Sequence, residues 1–337
     1  MKISMAYIKA ISTFTPPASE ILTNDELQKS FQNVDIAKIA KGVGVNQRYV
    51  ADENETAADM ACKAANQLFE EWNINRKVVD FIIFSTQSPD YFLPASSCII
   101  QHKLGIPTTA GAFDYDLGCS GYAYGLAIAK SFVDSGMASN VLLLTGDTIS
   151  KYLHPADKNR VLFGDYATAT LISNEGFAEI GETVYGTDGS GSEAIILKNR
   201  GARHLALDGK ESVDDQDNVR RSDYFYMNGE QVFNFTIDRV PQLIKDTLCK
   251  NKMEKEDIDY YVFHQANKFM LNTIRKVCGI AKDKFYVNIE NTGNTTSSTI
   301  PVALKACLDV KQFQPGEKVM IAGFGVGLSW AASVLRF

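Results

Sequence analysis

DFIIFSTQSPD (80–90) and DYYVFHQANK (259–268) decide the fold, because one pattern, an acidic residue, four apolar positions and a polar edge, returns 179 positions later. A second pair keeps the register: VLLLTGD begins at Val141 and VMIAGFG at Val319, 178 positions on. Short buried strands resemble one another by chance, so neither match is persuasive alone; the shared offset argues for a duplicated unit. The sequence therefore predicts two similar halves, 1–178 and 179–337, meeting after ATATLIS (167–173) and around NEGFAEIGE (174–182).

The same reading extends outward. VDFIIFS (79–85), AFDYDL (112–117), NVLLLTG (140–146), ATATLIS (167–173), IDYYVFH (258–264) and EKVMIAGFG (317–325) are short apolar runs between turn residues, the signature of strands buried on both faces. Helical patterns alternate with them. ETAADMACKAANQLFEEW (55–72) opens on a capping box of Thr56 and Asp59, and SGYAYGLAIAKSFVDSG (120–136) closes on glycine. Such alternation predicts an α/β architecture. GARHLALDGKESVDDQDNVRRSDYF (201–225) is rich in charge and glycine and has no period, so it reads as an exposed excursion.

With 337 residues, the chain has length for two domains and an ample core. Its 34 Lys+Arg against 40 Asp+Glu leave a net charge of −6, which gives no overall field to attract nucleic acid. No run approaches the roughly 18–20 apolar residues that cross a bilayer, and MKISMAYIKAISTFTPP has no apolar segment followed by a cleavage site. The expectation is a cytoplasmic protein with neither a membrane nor a nucleic-acid partner. Six cysteines, at 62, 98, 119, 249, 278 and 307, form no CxxC pair and no Cys/His cluster, so neither a metal site nor a disulfide framework is signalled.

Three residues stand in positions suited to chemistry. Cys119 follows a strand and precedes a helix, and the free N–H groups of that turn favour a thiolate. The other five cysteines lie in apolar, helical contexts and read as small buried residues. His264 closes IDYYVFH, at the carboxyl edge of a sheet where ligands of α/β proteins collect, with the amides Gln265 and Asn267 beside it. His102, His154 and His204 have polar or loop settings and read as structural. Asn294, in ENTGNTTSSTIP (290–301), could donate to a developing oxyanion or simply cap a helix. Two glycine-rich stretches, GTDGSGSE (186–193) and GFGVGLSW (323–330), lack the P-loop pattern, and the second lies too near the chain's end for a dinucleotide fold. GFGVG offers exposed backbone N–H donors instead.

Taken together, GCSGYAYGL (118–126), MNGEQVF (227–233), HQAN (264–267), GNTTSSTIP (293–301) and the terminal GFGVGLSWAASVLRF make the chain resemble the β-ketoacyl-acyl carrier protein synthase III family of the thiolase-like superfamily, nearly end to end. The resemblance implies a five-layer αβαβα fold of two duplicated halves, each with a mixed sheet. It implies a decarboxylating condensation of an acyl-coenzyme A with malonyl-acyl carrier protein through an acyl-Cys119 intermediate, with His264 and Asn294 on the malonyl thioester oxygen. The backbone N–H groups of Cys119 and Val326 would hold the other oxyanion. Leu93, Gly229, Phe233 and Asn267 match acyl-pocket and pantetheine-tunnel positions. Arg275 and Lys276 lie on the helix expected after HQAN, where their charge suits docking of an acidic carrier protein or simply makes a solvated helix face. A homodimer is implied, with Leu93 reaching across its interface, and no cofactor.

The likeness has gaps. Val326 stands where the terminal loop of the family has a glycine, DIAKIAKGVGVNQRYV (35–50) lacks the Trp and Arg that clamp adenine, and Phe269 replaces a tunnel-mouth Arg. A carrier-bound or unusual donor therefore stays open. So do three other readings: an acyltransferase of the same fold acting on oxygen or nitrogen without loss of CO₂, a Cys/His/Asn hydrolase in which the Asn orients the His, and a non-catalytic scaffold.

Overall fold

A computed structural model describes residues 5–17, 20–31, 33–199, 201–203, 205, 209–213 and 219–337. His204 and part of the 201–225 excursion lie outside the described residues. The first half runs β1 (Tyr7–Phe14), β2 (Ile21–Thr23), α1 (Asn24–Ser30), α2 (Ile36–Val43), β3 (Gln47–Tyr49), α3 (Ala57–Glu71), β4 (Phe81–Ser85), α4 (Ser96–Leu104), β5 (Gly111–Tyr115), α5 (Gly121–Ser135), β6 (Asn140–Asp147) and β7 (Tyr166–Ser173). Then come β8 (Ala178–Ile180), β9 (Val184–Thr187), β10 (Ile195–Ile196), β11 (Ser212–Val213), β12 (Val219–Arg220), β13 (Tyr226–Met227), α6 (Gly229–Lys250), β14 (Tyr260–Phe263), α7 (Lys268–Val277), α8 (Thr299–Asp309), β15 (Lys318–Gly325) and β16 (Ser329–Arg336).

The two matched stretches become equivalent strands. β4 lies parallel to β6, which is antiparallel to β7; β14 lies parallel to β15, which is antiparallel to β16. The resemblance leads one to expect two separate sheets, whereas β8 pairs with both β1 and β16 and joins them in one path, β14-β15-β16-β8-β1-β7-β6-β4-β5.

Alternation along the strands sorts side chains into layers. Val141 and Leu143 of β6 and Val319 and Ile321 of β15 face a central core with Tyr122, Leu126 and Ala129 of α5 and Ile300, Ala303 and Leu304 of α8. Leu142 and Leu144 face outward to α3, and Met320 and Ala322 face α6 and α7. Helix, sheet, paired helices, sheet, helix is the resulting thiolase-like five-layer order. The capping box at Thr56 and Asp59 is present, and α5 stops at Gly136 as its sequence predicts. No helix among the described residues is long and apolar enough to cross a membrane.

Candidate active site

Cys119 sits in a single 3-10 turn, Gly118–Ser120, between β5 and α5, so the first N–H groups of a buried helix lie beside it. β15 runs directly beneath. A Cβ on Gly323 would come within 2.6 Å of the Cys119 carbonyl oxygen, and one on Gly325 within 2.8 Å of Cys119 Cβ and 3.0 Å of Sγ. Only glycine lets the strand approach the nucleophile so closely.

His264 follows the last residue of β14, its N–H donating to the Ala322 carbonyl at 2.7 Å. Its Nδ1 lies 2.7 Å from Thr299 Oγ1, which itself donates to the Thr296 carbonyl at 3.1 Å. Asn294 follows Gly293, whose φ of +67° and close contact with the Leu162 carbonyl exclude a side chain. The Asn294 amide is oriented from two sides: Thr296 N–H donates to Oδ1 at 2.9 Å, and Nδ2 donates to the Ala266 carbonyl at 3.3 Å. The second Nδ2 hydrogen stays available to a ligand.

Cys119, His264 and Asn294, drawn from three separate segments, line one cavity, with Gly229, Asn267, Phe324 and Val326 among its walls. Burial governs its electrostatics. Desolvation, helped by the Asp147 carboxylate, pushes the Cys119 thiol up to about 12, against the opposing pull of the nearby Cys119 and Val326 backbone N–H groups. The sequence expectation of a thiolate is thereby corrected: the resting group is a thiol, because removing charge from water outweighs the partial charge at a helix end. His264 is lowered to about 3 by burial, with the Thr296 carbonyl pulling the other way, so its ring is neutral at physiological pH.

The remaining expectations divide. Gly229 and Asn267 line the cavity, and Asn267 also caps α7 by accepting from Met270 N–H at 2.8 Å. Phe233 stacks on Phe269, ring centroids 5.5 Å apart, and Phe269 borders a second, outer bay that meets the first at Asn267. That bay has an apolar floor of Val34, Ile39 and Val43, with Lys38 and Lys158 on its rim. Leu93 is 83% exposed on the loop before α4 and is not brought to the cavity within one chain. Of the docking pair, Lys276 is exposed, whereas Arg275 is half-buried and donates to the Ile280 carbonyl beyond its helix. Cys62 and Cys307 are buried as expected; Cys98 and Cys249 are exposed on their helices, and Cys278 is half-buried, packed against the core beside α6 and α7. Among the described residues, no group of three or more His, Cys, Asp or Glu could hold a metal.

Sequence reasoning missed Asp147, a buried carboxylate at the end of β6 that Thr296 and Ser297 approach from the other half of the chain. Those two partners lie 149 and 150 positions away, so no local spacing signals it.

Residues 113–189 match the family described as 3-oxoacyl-[acyl-carrier-protein (ACP)] synthase III, and residues 248–337 match that family's C-terminal part. A Chlamydia caviae protein named beta-ketoacyl-[acyl-carrier-protein] synthase III is 34% identical over 99% of this chain and 98% of its own. A crystal structure titled 3-oxoacyl-(acyl-carrier-protein) synthase III shares 45% identity at a TM-score of 0.95, covering 99% of this chain and 100% of that one. A 3-oxoacyl-(acyl-carrier protein) synthase from Burkholderia xenovorans LB400 shares 32% at 0.90, covering 98% and 93%.

Proposed function

The chain belongs to the 3-oxoacyl-[acyl-carrier-protein] synthase III family, and from that premise we propose that it condenses an acyl-coenzyme A with malonyl-acyl carrier protein, releasing CO₂ and giving a 3-oxoacyl-acyl carrier protein for fatty acid or related lipid synthesis. The observation that carries the reading is the convergence of Cys119, His264 and Asn294 on one cavity that Val326 also lines.

Cys119 Sγ attacks the thioester carbonyl, whose developing oxyanion accepts from the N–H groups of Cys119 and Val326. A protonated resting thiol needs a proton acceptor, and the neutral His264 ring in the same cavity can take that proton and pass it to the departing coenzyme A sulfur. Malonyl-acyl carrier protein then enters along the wall that holds Gly229 and Asn267. As CO₂ leaves, enolate charge grows on the thioester oxygen, where Asn294 Nδ2–H and the His264 ring receive it. The enolate carbon attacks the acyl-Cys119 carbonyl, and the expelled Cys119 thiolate takes up from solvent the one proton that the overall condensation consumes.

The Asn294 geometry favours this scheme over a Cys/His/Asn hydrolase, in which the Asn would hold the imidazole; here Thr299 holds it. The scheme calls for no metal or organic cofactor. It takes Lys276, with Arg275, as the docking face for an acidic carrier protein, a homodimer in which Leu93 enters the partner's acyl pocket, two halves at 1–178 and 179–337, and a cytoplasmic setting.

Intact-mass spectrometry after exposure to acetyl- and longer acyl-coenzyme A tests the first half-reaction. Wild type should gain one acyl group and Cys119→Ala none; equal labelling removes Cys119 from its role. CO₂ release from malonyl-acyl carrier protein tests the second. Its absence with an acylated enzyme would favour the non-decarboxylating acyltransferase.

A further inference from the structure

Asp147 takes no part in the steps above, yet it is 1% exposed and every hydrogen bond to it comes from a neutral group. Gln87 N–H donates to Oδ1 at 2.7 Å; the Thr296 hydroxyl, the Ser297 hydroxyl at 2.7 Å and Ser297 N–H at 3.4 Å donate to Oδ2. A carboxylate can only accept, so both hydroxyls are fixed as donors toward it.

Thr296 is where this matters. Its φ is +50°, a left-handed backbone that a β-branched residue avoids unless its surroundings impose it. In that conformation both of its backbone groups serve the site. Its N–H donates to Asn294 Oδ1 at 2.9 Å, and its carbonyl accepts from Thr299 Oγ1 at 3.1 Å, the hydroxyl that meets His264 Nδ1 at 2.7 Å. One residue thus orients both polar side chains, and one buried carboxylate grips that residue.

We propose that Asp147 is a positioning residue: it holds Thr296 in the left-handed conformation, and Thr296 in turn aims the Asn294 amide and the His264 ring into the cavity. The division of labour rests on the synthase reading, in which acylation uses Cys119, its backbone donors and the His264 ring as proton acceptor, while loss of CO₂ needs the Asn294 amide and the His264 ring together. Asp147 therefore weighs more heavily on the second half-reaction, which needs both polar side chains, than on the first, which needs only His264.

The test is Asp147→Asn, nearly identical in shape and still able to accept from Gln87 N–H, but no longer obliging both hydroxyls to donate. CO₂ release from malonyl-acyl carrier protein should fall at least 30-fold, and at least tenfold more than Cys119 acylation. Adding Thr296→Gly should recover at least fivefold of that loss, since glycine adopts a positive φ without a clamp. A merely structural role would depress both half-reactions together and would not respond to glycine. Equal loss in both, wild-type CO₂ release, or no recovery in the double variant overturns the proposal. If Asp147→Asn does not fold, Thr296→Val replaces it, and CO₂ release must then fall at least tenfold more than acylation for the proposal to stand. Should wild type accept no acyl group from any donor, the synthase reading falls by itself; a crystal structure of Asp147→Asn then decides, a displaced Thr296 and Asn294 supporting the positioning role and an unmoved pair ending it.

Discussion

Gly325→Ala is the sharpest probe of how the nucleophile is seated. The new methyl carbon would lie 2.8 Å from Cys119 Cβ and 3.0 Å from Sγ, whereas carbon atoms rest about 3.5–4.0 Å apart. The two groups must separate by about 0.5–1 Å. The turn has little freedom to do so by sliding along β15, because two residues earlier Gly323 is already pressed against the Cys119 carbonyl and Ser120 Cα. A sulfur displaced by about 1 Å loses its near-attack geometry and the two backbone donors, a change that costs on the order of 100-fold in rate. Crowding of this kind costs about 1–3 kcal/mol in stability, which a domain of this size should survive. The expected outcome is a folded protein with a modestly lower urea midpoint whose Cys119 acylation, timed by intact mass, is slowed about 100-fold. Wild-type acylation by Gly325→Ala would show that the contact between β15 and Cys119 does not set the position of the sulfur.

Two further outcomes follow from burial of the site. With the Cys119 thiol raised to about 12, iodoacetamide labelling of the peptide bearing Cys119 should still climb about tenfold per pH unit through pH 9; a plateau below pH 8 would mean that the resting group is already a thiolate. For His264, the folded value of about 3 lies below the ordinary 6.5, so the unfolded chain takes up a proton first. Its contribution is complete above pH 6.5 and is lost as pH falls toward 3. The stability difference between wild type and His264→Gln, from urea unfolding, should therefore shrink by about 3 kcal/mol between pH 6.5 and pH 4. Parallel curves would contradict a buried neutral imidazole.

How far the sequence could be read depended on whether a residue's surroundings are local. β4, β6, β7, β14 and β15 are buried on both faces and so appear as unbroken apolar runs, each within two residues of its predicted bounds. β1 was not legible, because Lys9, Ser12 and Thr13 interrupt YIKAISTF, although Ser12 is fully buried and its hydroxyl donates to Glu71. α6 runs for 22 residues through Pro241, a residue that reads as a helix break. Cys119, His264 and Asn294 could be singled out because each stands at a strand edge or in a polar loop. The charge state of Cys119 could not, since it depends on how completely the assembled walls exclude water. Asp147 and the backbone of Thr296 were hidden for the same reason.

Three residues, Ala178–Ile180, hold the ends of the molecule together: Ile8 faces Ala178, Leu335 faces Ile180, and Glu179 meets both Tyr7 and Arg336. The chain's first and last strands are thus laced to a single short ribbon that also carries the crossover from one sheet to the other. Opening of β8 would release its pairs with both strands at once, while β7 still holds β1 and β15 still holds β16. Amide exchange at Ile8 and Leu335 should accordingly report the same opening event, although 327 positions of sequence separate them.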